Sequence, residues 1–156
     1  MLSEAGFPEF SSTVLYGRGE LPSACDAFVR SVELNSGNPA ALNNAAYLLV
    51  TLRGETTKSF EYASKAVLLV PQNPDYLDTL GLILLKLNRL PEAEDALNRS
   101  IAAGSTPSAN LHLAQVKLAQ GDRAAARQAL DRAIGGNPSP DLKKEIDAFV
   151  PSLADK

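Results

Sequence analysis

Apolar and small residues recur along the chain every three or four positions, with polar and charged residues between them. Between Leu90 and Ile101, for example, the stripe runs through Leu90, Ala93, Leu97 and Ile101. This period is typical of amphipathic α-helices. We predict nine helices, over residues 8–17, 21–35, 39–53, 56–70, 74–87, 90–103, 107–120, 122–135 and 140–150.

Four of these helices are predicted to begin on the same kind of dipeptide. The four are Asn38-Pro39, Asn73-Pro74, Thr106-Pro107 and Ser139-Pro140, so that successive prolines lie 35, 33 and 33 residues apart. An Asn, Thr or Ser side chain accepts hydrogen bonds from the free amides of a first turn, and proline is favoured at the first helical position. The chain is therefore predicted to repeat a unit of about 34 residues.

A second match shows that each unit contains two helices. Residues 21–32 and 90–101 are identical at seven of twelve positions, at an offset of 69 residues, about two periods. Residues that tolerate tight turns precede the second helix of each unit: Gly19, Gly54, Asn88 and Gly121. We call the two helices of a unit helix A and helix B. The units are predicted at about 5–38, 39–73, 74–106 and 107–139.

These features resemble the tetratricopeptide repeat (TPR), a 34-residue helix-turn-helix unit. The third unit matches its small and apolar positions best, through Leu77, Leu80, Gly81, Leu84, Ala93, Leu97 and Ser100. Asn110 and Lys117 stand where the family has apolar residues, and the segments 42–49 and 76–81 look like those of bacterial TPR proteins. The resemblance implies an all-α fold, an α-solenoid of about four TPR units plus a C-terminal capping helix.

The predicted domain boundaries follow from the repeat. A single TPR domain is expected over residues 5–150, with the cap helix at 140–150 and tails at 1–4 and 151–156. In the cap helix, Leu142, Ile146 and Phe149 form an apolar stripe that we expect to face the fourth unit. The polar face of this helix would meet water.

The charge balance argues against nucleic acid as a partner. The chain has 15 Lys and Arg against 18 Asp and Glu, a net charge of −3, with no basic run. Its apolar stretches are too short for membrane insertion, and its N-terminus does not read as a signal peptide. One cysteine permits no intrachain disulfide. A cytoplasmic location is favoured, and a periplasmic one stays open because a removed leader would leave no trace.

Catalytic chemistry has little support in the sequence. The motifs of metal, nucleotide and redox sites are missing, and the chain has one histidine, His112, and one cysteine, Cys25, which we interpret as a packed core thiol. No cofactor, no metal site and no catalytic residue is predicted. We expect a protein that is not an enzyme.

The TPR resemblance implies instead a partner-binding surface. In that family, helix A lines a concave groove that grips an extended peptide or a helix of another protein. The matching positions here are Asn43, Asn44, Tyr47, Asp78, Thr79, Leu82, His112 and Gln115. Tyr47, Leu82 and Leu111 would then be exposed apolar residues awaiting a partner. The cationic clamp by which some TPR domains bind chaperone C-termini is missing, since Asp75 and Asp78 would repel a terminal carboxylate.

A structural role is the alternative hypothesis. The first unit matches the repeat weakly, and Phe7, Phe10 and Val14 could dock on a neighbour. The chain would then be a stacking or self-associating module, or a fragment of a longer TPR protein such as a component of bacterial export or assembly machinery.

Overall fold

The computed structural model describes residues 8–104 and 106–154, with side chains for residues 12–104 and 106–154. Within these residues the chain forms nine α-helices and no strand, which confirms the predicted all-α fold of the α-solenoid class. The helices, numbered in chain order, are α1 (Pro8–Gly17), α2 (Leu21–Leu34), α3 (Pro39–Leu48), α4 (Thr56–Leu69), α5 (Pro74–Lys86), α6 (Leu90–Gly104), α7 (Pro107–Ala119), α8 (Arg123–Gly135) and α9 (Pro140–Phe149). Except for α3, each agrees with its predicted range to within one residue at either end.

The four predicted capping residues all cap a helix. The side-chain oxygens of Asn38, Asn73, Thr106 and Ser139 each accept a hydrogen bond from a backbone N–H of the first turn. Proline follows each cap at the start of the helix. A cap of this kind contributes about 1 kcal/mol, so these dipeptides define where α3, α5, α7 and α9 begin.

The tight turns between helix A and helix B are formed by the residues that the sequence predicts. Gly19, Gly54, Asn88 and Gly121 have positive φ angles of 74°, 67°, 57° and 85°. A left-handed residue ends a helix by turning the chain away from the helical path. One further left-handed residue, Asn137 at φ 58°, lies between α8 and α9 and was not predicted.

Helix α3 departs from the prediction at its end. It ends at Leu48, and Leu49–Arg53 form a π-helical turn. The second unit has one residue more than its neighbours near this turn, and a π-turn takes an extra residue into a helix without breaking it. The insertion is therefore absorbed inside helix A rather than in the loop that follows.

The packing divides the chain into two compact units, Met1–Pro71 and Gln72–Lys156. This border lies within two residues of the predicted junction between the second and third repeats. That residues 5–150 form one domain stays a prediction. The predicted domain start at residue 5 and the tail 1–4 lie outside the described residues.

The first unit contains α1 to α4, each packed against the next along the chain. Its core holds large apolar side chains together with alanines at the helix contacts. The fully buried members include Ala24, Cys25, Leu42, Ala45, Ala46, Leu49, Ala63 and Ala66. The alanines let the helix backbones approach closely, as the repeat requires.

The second unit contains α5 to α9. Helices α5 and α6 pack as one pair and α7 and α8 as another, and α7 also contacts both α5 and α6. Gly81 in α5 and Ala93 in α6 are both buried, as predicted for small residues of the repeat. None of the described helices combines the length and apolar character that crossing a bilayer requires.

The two residues that depart from the family pattern in α7 are accommodated by polar partners. Asn110 is buried, and its amide nitrogen donates to the backbone oxygen of Thr106 at 2.9 Å. The Lys117 ammonium lies 2.5 Å from a carboxylate oxygen of Glu94 in α6, and both side chains are mostly buried. The amide nitrogen of Asn110 and the ammonium group of Lys117 thus each have a polar partner at a position where a TPR usually has an apolar contact.

The cap helix α9 packs against α7 and α8, with Ile146 buried and Leu142 and Phe149 half-buried, as the predicted stripe requires. Residues 151–156 are predicted to be a tail, and for 151–154 the structure differs. Val150–Leu153 form a short 3-10 turn, and Leu153 is buried. The backbone oxygens of Leu153 and Ala154 accept hydrogen bonds from Arg127 and Arg123 of α8. These bonds and the buried leucine hold the segment against the unit.

Candidate partner-binding site

The predicted binding residues fall on helix A of successive repeats and belong to two sets. Asn43, Asn44 and Tyr47 lie in α3 of the first unit. Asp78, Thr79 and Leu82 lie in α5, and His112 and Gln115 lie in α7, in the second unit.

The first set places amide and phenol groups on one side of α3. Asn44 and Tyr47 are half-buried, whereas Asn43 is 8% exposed. The Oδ1 atom of Asn43 is buried and has no hydrogen-bond partner among the described residues. Such an unmet acceptor costs about 1–3 kcal/mol, which makes it the most unusual polar atom of this set.

In the second set, the structure brings Asp78 and His112 into direct contact. The Nδ1 atom of His112 lies 2.7 Å from Oδ1 of Asp78. The second carboxylate oxygen of Asp78 accepts a hydrogen bond from the hydroxyl of Ser108, also at 2.7 Å. The side chains of His112 and Asp78 are only 8% and 13% exposed. Two residues predicted separately as groove positions are therefore joined in one nearly buried network.

Sequence reasoning missed Ser108. It precedes His112 by one helical turn in α7 and lies 30 residues after Asp78, while His112 lies 34 residues after it. The second separation equals the repeat period. An acid and a histidine one period apart on neighbouring A helices were a signal that could have identified this pair, with Ser108 as the next residue on the same helix face.

Thr79 and Leu82 are more deeply buried than predicted, and so is Leu111. Their exposed fractions are 7%, 6% and 0%. The expectation that Leu82 and Leu111 are exposed apolar residues is wrong. Helix α5 packs on both α6 and α7, and α7 packs on further helices, so most of the circumference of each is covered. Gln115 and Tyr47 remain half-buried.

The network affects the ionisation of His112. Burial lowers the pKa of His112, and the carboxylate of Asp78 raises it through its charge and its hydrogen bond. Glu145 in α9 adds to the increase and Lys86 in α5 opposes it. The net pKa of His112 is raised from its usual value, which favours an imidazolium bound to a carboxylate.

The same three residue types make up the catalytic triad of hydrolases, but their order differs here. In a triad the histidine lies between the serine and the acid, so that the ring accepts the serine proton. In this chain Asp78 lies between Ser108 and His112. The Ser108 hydroxyl donates its proton to the carboxylate of Asp78 and not to the imidazole ring. The contacts therefore orient the side chains and do not activate a nucleophile.

Other reactive groups do not extend this cluster. Cys25 is completely buried, as expected for a packed thiol, and burial raises its pKa while Arg53 lowers it by less. Over residues 8–104 and 106–154, no three His, Cys, Asp or Glu residues come together in a way that could hold a metal ion.

Comparison with known proteins gives the family context. A family model described as tetratricopeptide repeat matches residues 79–141. No curated protein matches the sequence.

Several solved structures share the fold. A MamA structure from Desulfovibrio magneticus is 18% identical, with a TM-score of 0.68 over 88% of this chain and 78% of that one. TTC0263, a thermophilic TPR protein of Thermus thermophilus, is 18% identical, with a TM-score of 0.59 over 92% of this chain and 97% of that one. The first TPR of Spaghetti (RPAP3), bound to the HSP90 peptide SRMEEVD, is 17% identical, with a TM-score of 0.65 over 73% of this chain and 90% of that one. At these identities the likeness concerns the fold.

Proposed function

The chain is a tetratricopeptide-repeat protein, and from that premise we propose that it is a non-catalytic scaffold that binds a partner protein. The ligand is a peptide segment or a helix of that partner. The binding residues are those on helix A: Asn43, Asn44 and Tyr47 in the first unit, and Asp78, Thr79, Leu82, His112 and Gln115 in the second. The helix-A residues of each unit form a binding surface of their own.

One observation carries the proposal. The Oδ1 atom of Asn43 is buried without a hydrogen-bond partner among the described residues, next to the half-buried Asn44 in the chain and one turn from Tyr47. Buried polar atoms without partners are rare in native proteins, and each needs an explanation. Rotation of the Asn43 side chain toward the surface, where 8% of the residue is already exposed, would let a backbone N–H of a ligand supply the missing donor.

The class of ligand is supported by a protein of the same fold. The Spaghetti TPR is bound to an HSP90 peptide, so a chain of this architecture is able to bind a short peptide. The ligand of the present chain should differ in charge. Asp75 and Asp78 put acidic residues on α5 where the clamp of chaperone-binding TPR domains needs cations. Both oxygens of Asp78 are already engaged by Ser108 and His112. We therefore expect a neutral or mildly basic segment and no recognition of a terminal carboxylate.

The test begins with selection of binders from a random peptide-display library against the folded chain. A single surface of this size should give a dissociation constant on the order of micromolar, because ordering an extended peptide opposes binding. Changing both Asn44 and Tyr47 to Ala should weaken binding of a selected peptide at least ~10-fold, or ~1.4 kcal/mol, without changing the thermal midpoint.

Asn98→Ala is the matched control for Asn44→Ala, because Asn98 is exposed on α6, a helix B. It should leave peptide affinity unchanged. Equal affinity of the folded double variant and the parent protein would place the peptide elsewhere and remove the first-unit surface from the proposal.

Exposed leucines of the first unit favour a second candidate, self-association. Leu34 at the end of α2 is 66% exposed and Leu68 near the end of α4 is 79% exposed, both in the first unit. The phenylalanines on which this hypothesis first rested, Phe7 and Phe10, lie outside the described side chains. Light scattering after size-exclusion chromatography decides between the candidates. A mass that rises with concentration in the parent protein and falls to that of one chain in Leu68→Ser would support self-association.

A further inference from the structure

The one histidine of the chain is held by a carboxylate in a way that leaves one ring nitrogen for another molecule. Its Nδ1 atom is bound to Asp78 at 2.7 Å. Its Nε2 atom makes no hydrogen bond with the described residues, yet it is not among the fully buried atoms that lack a partner. The small exposed part of the side chain, 8%, therefore includes Nε2.

Because it faces the carboxylate of Asp78, the Nδ1 atom of His112 carries a proton. An ionised carboxylate can only accept hydrogen bonds, so Nδ1 must donate, whether the ring is neutral or charged. Ser108 holds the second oxygen of the same carboxylate, which fixes its orientation. Nε2 thus carries a proton when the ring is charged and a lone pair when it is neutral.

We propose that His112 is a partner-binding residue whose Nε2–H, oriented by Asp78, donates a hydrogen bond to a backbone carbonyl oxygen of the bound segment. This inference rests on the proposed function and adds a chemical requirement to it. A carbonyl oxygen is the acceptor that an extended peptide offers regardless of its sequence. A neutral ring would present a lone pair to that oxygen, so binding requires the charged form.

The charged groups around the ring are consistent with a donor. On α5, Asp78 contacts the ring and favours its positive charge, whereas Lys86 disfavours it. On α9, Glu145 also favours the positive charge of the ring. Charged groups on the other helices packed on α7 have partners of their own. Glu94 of α6 is bound by Lys117 and Gln120, and Arg127 of α8 donates to the backbone oxygen of Leu153.

The experiment has two parts, both on the whole chain. In the first, nitrogen-15 NMR follows the single histidine from about pH 5.5 to about pH 9. The expected result is a neutral form protonated at Nδ1 in the parent protein. In Asp78→Asn the apparent pKa of His112 should fall, because the partner charge is removed. A neutral form protonated at Nε2 in the parent protein would overturn the orientation on which the proposal depends.

In the second part, the affinity of a library-selected peptide that protects α7 from hydrogen exchange is measured over the same pH range. If the charged ring is required, the dissociation constant should rise with pH, approaching about tenfold per pH unit above the pKa of His112. His112→Gln keeps a donor but cannot titrate, so its affinity should lose this pH dependence. Lys144→Gln on the exposed face of α9 is the control and should retain it.

The outcomes separate the two proposals. A peptide that binds α7 equally at all pH values, and equally well in His112→Gln, overturns the role of His112 and leaves the scaffold function standing. Failure to select any peptide for the parent protein overturns the scaffold function and this inference together. If His112→Gln fails to fold, the pH dependence of Asp78→Asn decides, since its affinity should fall at a lower pH than that of the parent protein.

Discussion

Gly81 in α5 lies directly against Leu97 in α6. A β-carbon at Gly81 would stand 2.5 Å from Cγ and 2.7 Å from Cδ2 of Leu97, and both residues are buried. Leu97 is enclosed and cannot move aside freely, so the approach of helix A to helix B in this repeat requires a residue without a side chain.

The first prediction follows from that contact. Gly81→Leu should overpack the α5–α6 interface and lower the free energy of unfolding by about 1–3 kcal/mol, measured by urea denaturation. Gly81→Ala should already be destabilising. Gly135→Ala is the matched control, because no atom lies within 4 Å of its added β-carbon. An unchanged midpoint for Gly81→Leu would show that the two helices are not packed as described.

The second prediction concerns pH. The folded-state pKa of His112 is raised, so its charged form stabilises the fold. This stabilisation is complete below the unfolded pKa, about 6.5, and is lost as the pH rises through the folded pKa. The difference in unfolding free energy between the parent protein and His112→Gln should therefore shrink above about pH 6.5. Parallel pH profiles for the two proteins would refute a stabilising ion pair with Asp78.

The third prediction tests that pair from the other side. Asp78→Asn removes the charge that two donors share, and leaves a mostly buried ring without its counter-ion. We expect a loss of about 1.5–3 kcal/mol in the free energy of unfolding below neutral pH, because hydrogen bonds to charged groups are stronger than neutral ones. Asp75→Asn, on the exposed start of the same helix, should change stability much less. Equal effects of the two substitutions would mean that Asp78 acts only through the overall charge.

The fourth prediction concerns the C-terminal turn. Leu153 is 5% exposed, whereas Val150 in the same turn is 46% exposed. Leu153→Ala should lower the thermal midpoint, with a loss of about 2 kcal/mol or more. Val150→Ala should have little effect and serves as the control. If both variants melt like the parent protein, the segment is a tail, as the sequence predicts.

The fifth prediction concerns a helix cap. The Asn73 side chain accepts hydrogen bonds from two backbone amides at the start of α5. Asn73→Ala should cost about 1 kcal/mol in chemical denaturation. Asn98→Ala, within the exposed face of α6, should be nearly neutral, and a neutral Asn73→Ala would contradict the capping role.

Much of the fold could be predicted because its signals are local. The capping oxygen of Asn73 reaches amides two and three residues away, and the left-handed conformation of Asn88 depends on its own backbone. These preferences act within one turn of chain, so they can be read wherever they recur. Their repetition at a period near 34 residues then identified the helical pairs.

The candidate site was predicted only in part. The family resemblance predicted that the binding residues lie on helix A. The structure joins two of those residues, Asp78 and His112. The contribution of Ser108 and the burial of Leu82 and Leu111 did not follow. Periodicity tells which face of a helix turns inward, but it does not tell how many neighbours cover the remaining faces.

By itself, the sequence determined the helices, their caps, their turns and their repetition, since each depends on residues adjacent in the chain. Only the tertiary structure decided that the acid of one repeat would hold the histidine of the next, and that residues 151–153 would fold back as a turn with Leu153 buried. The first outcome depends on the distance between groups that a whole helix pair separates in the chain. The second depends on the apolar surface that the last helices leave uncovered. Those distances are set by the packing of the helices together, which no single segment specifies.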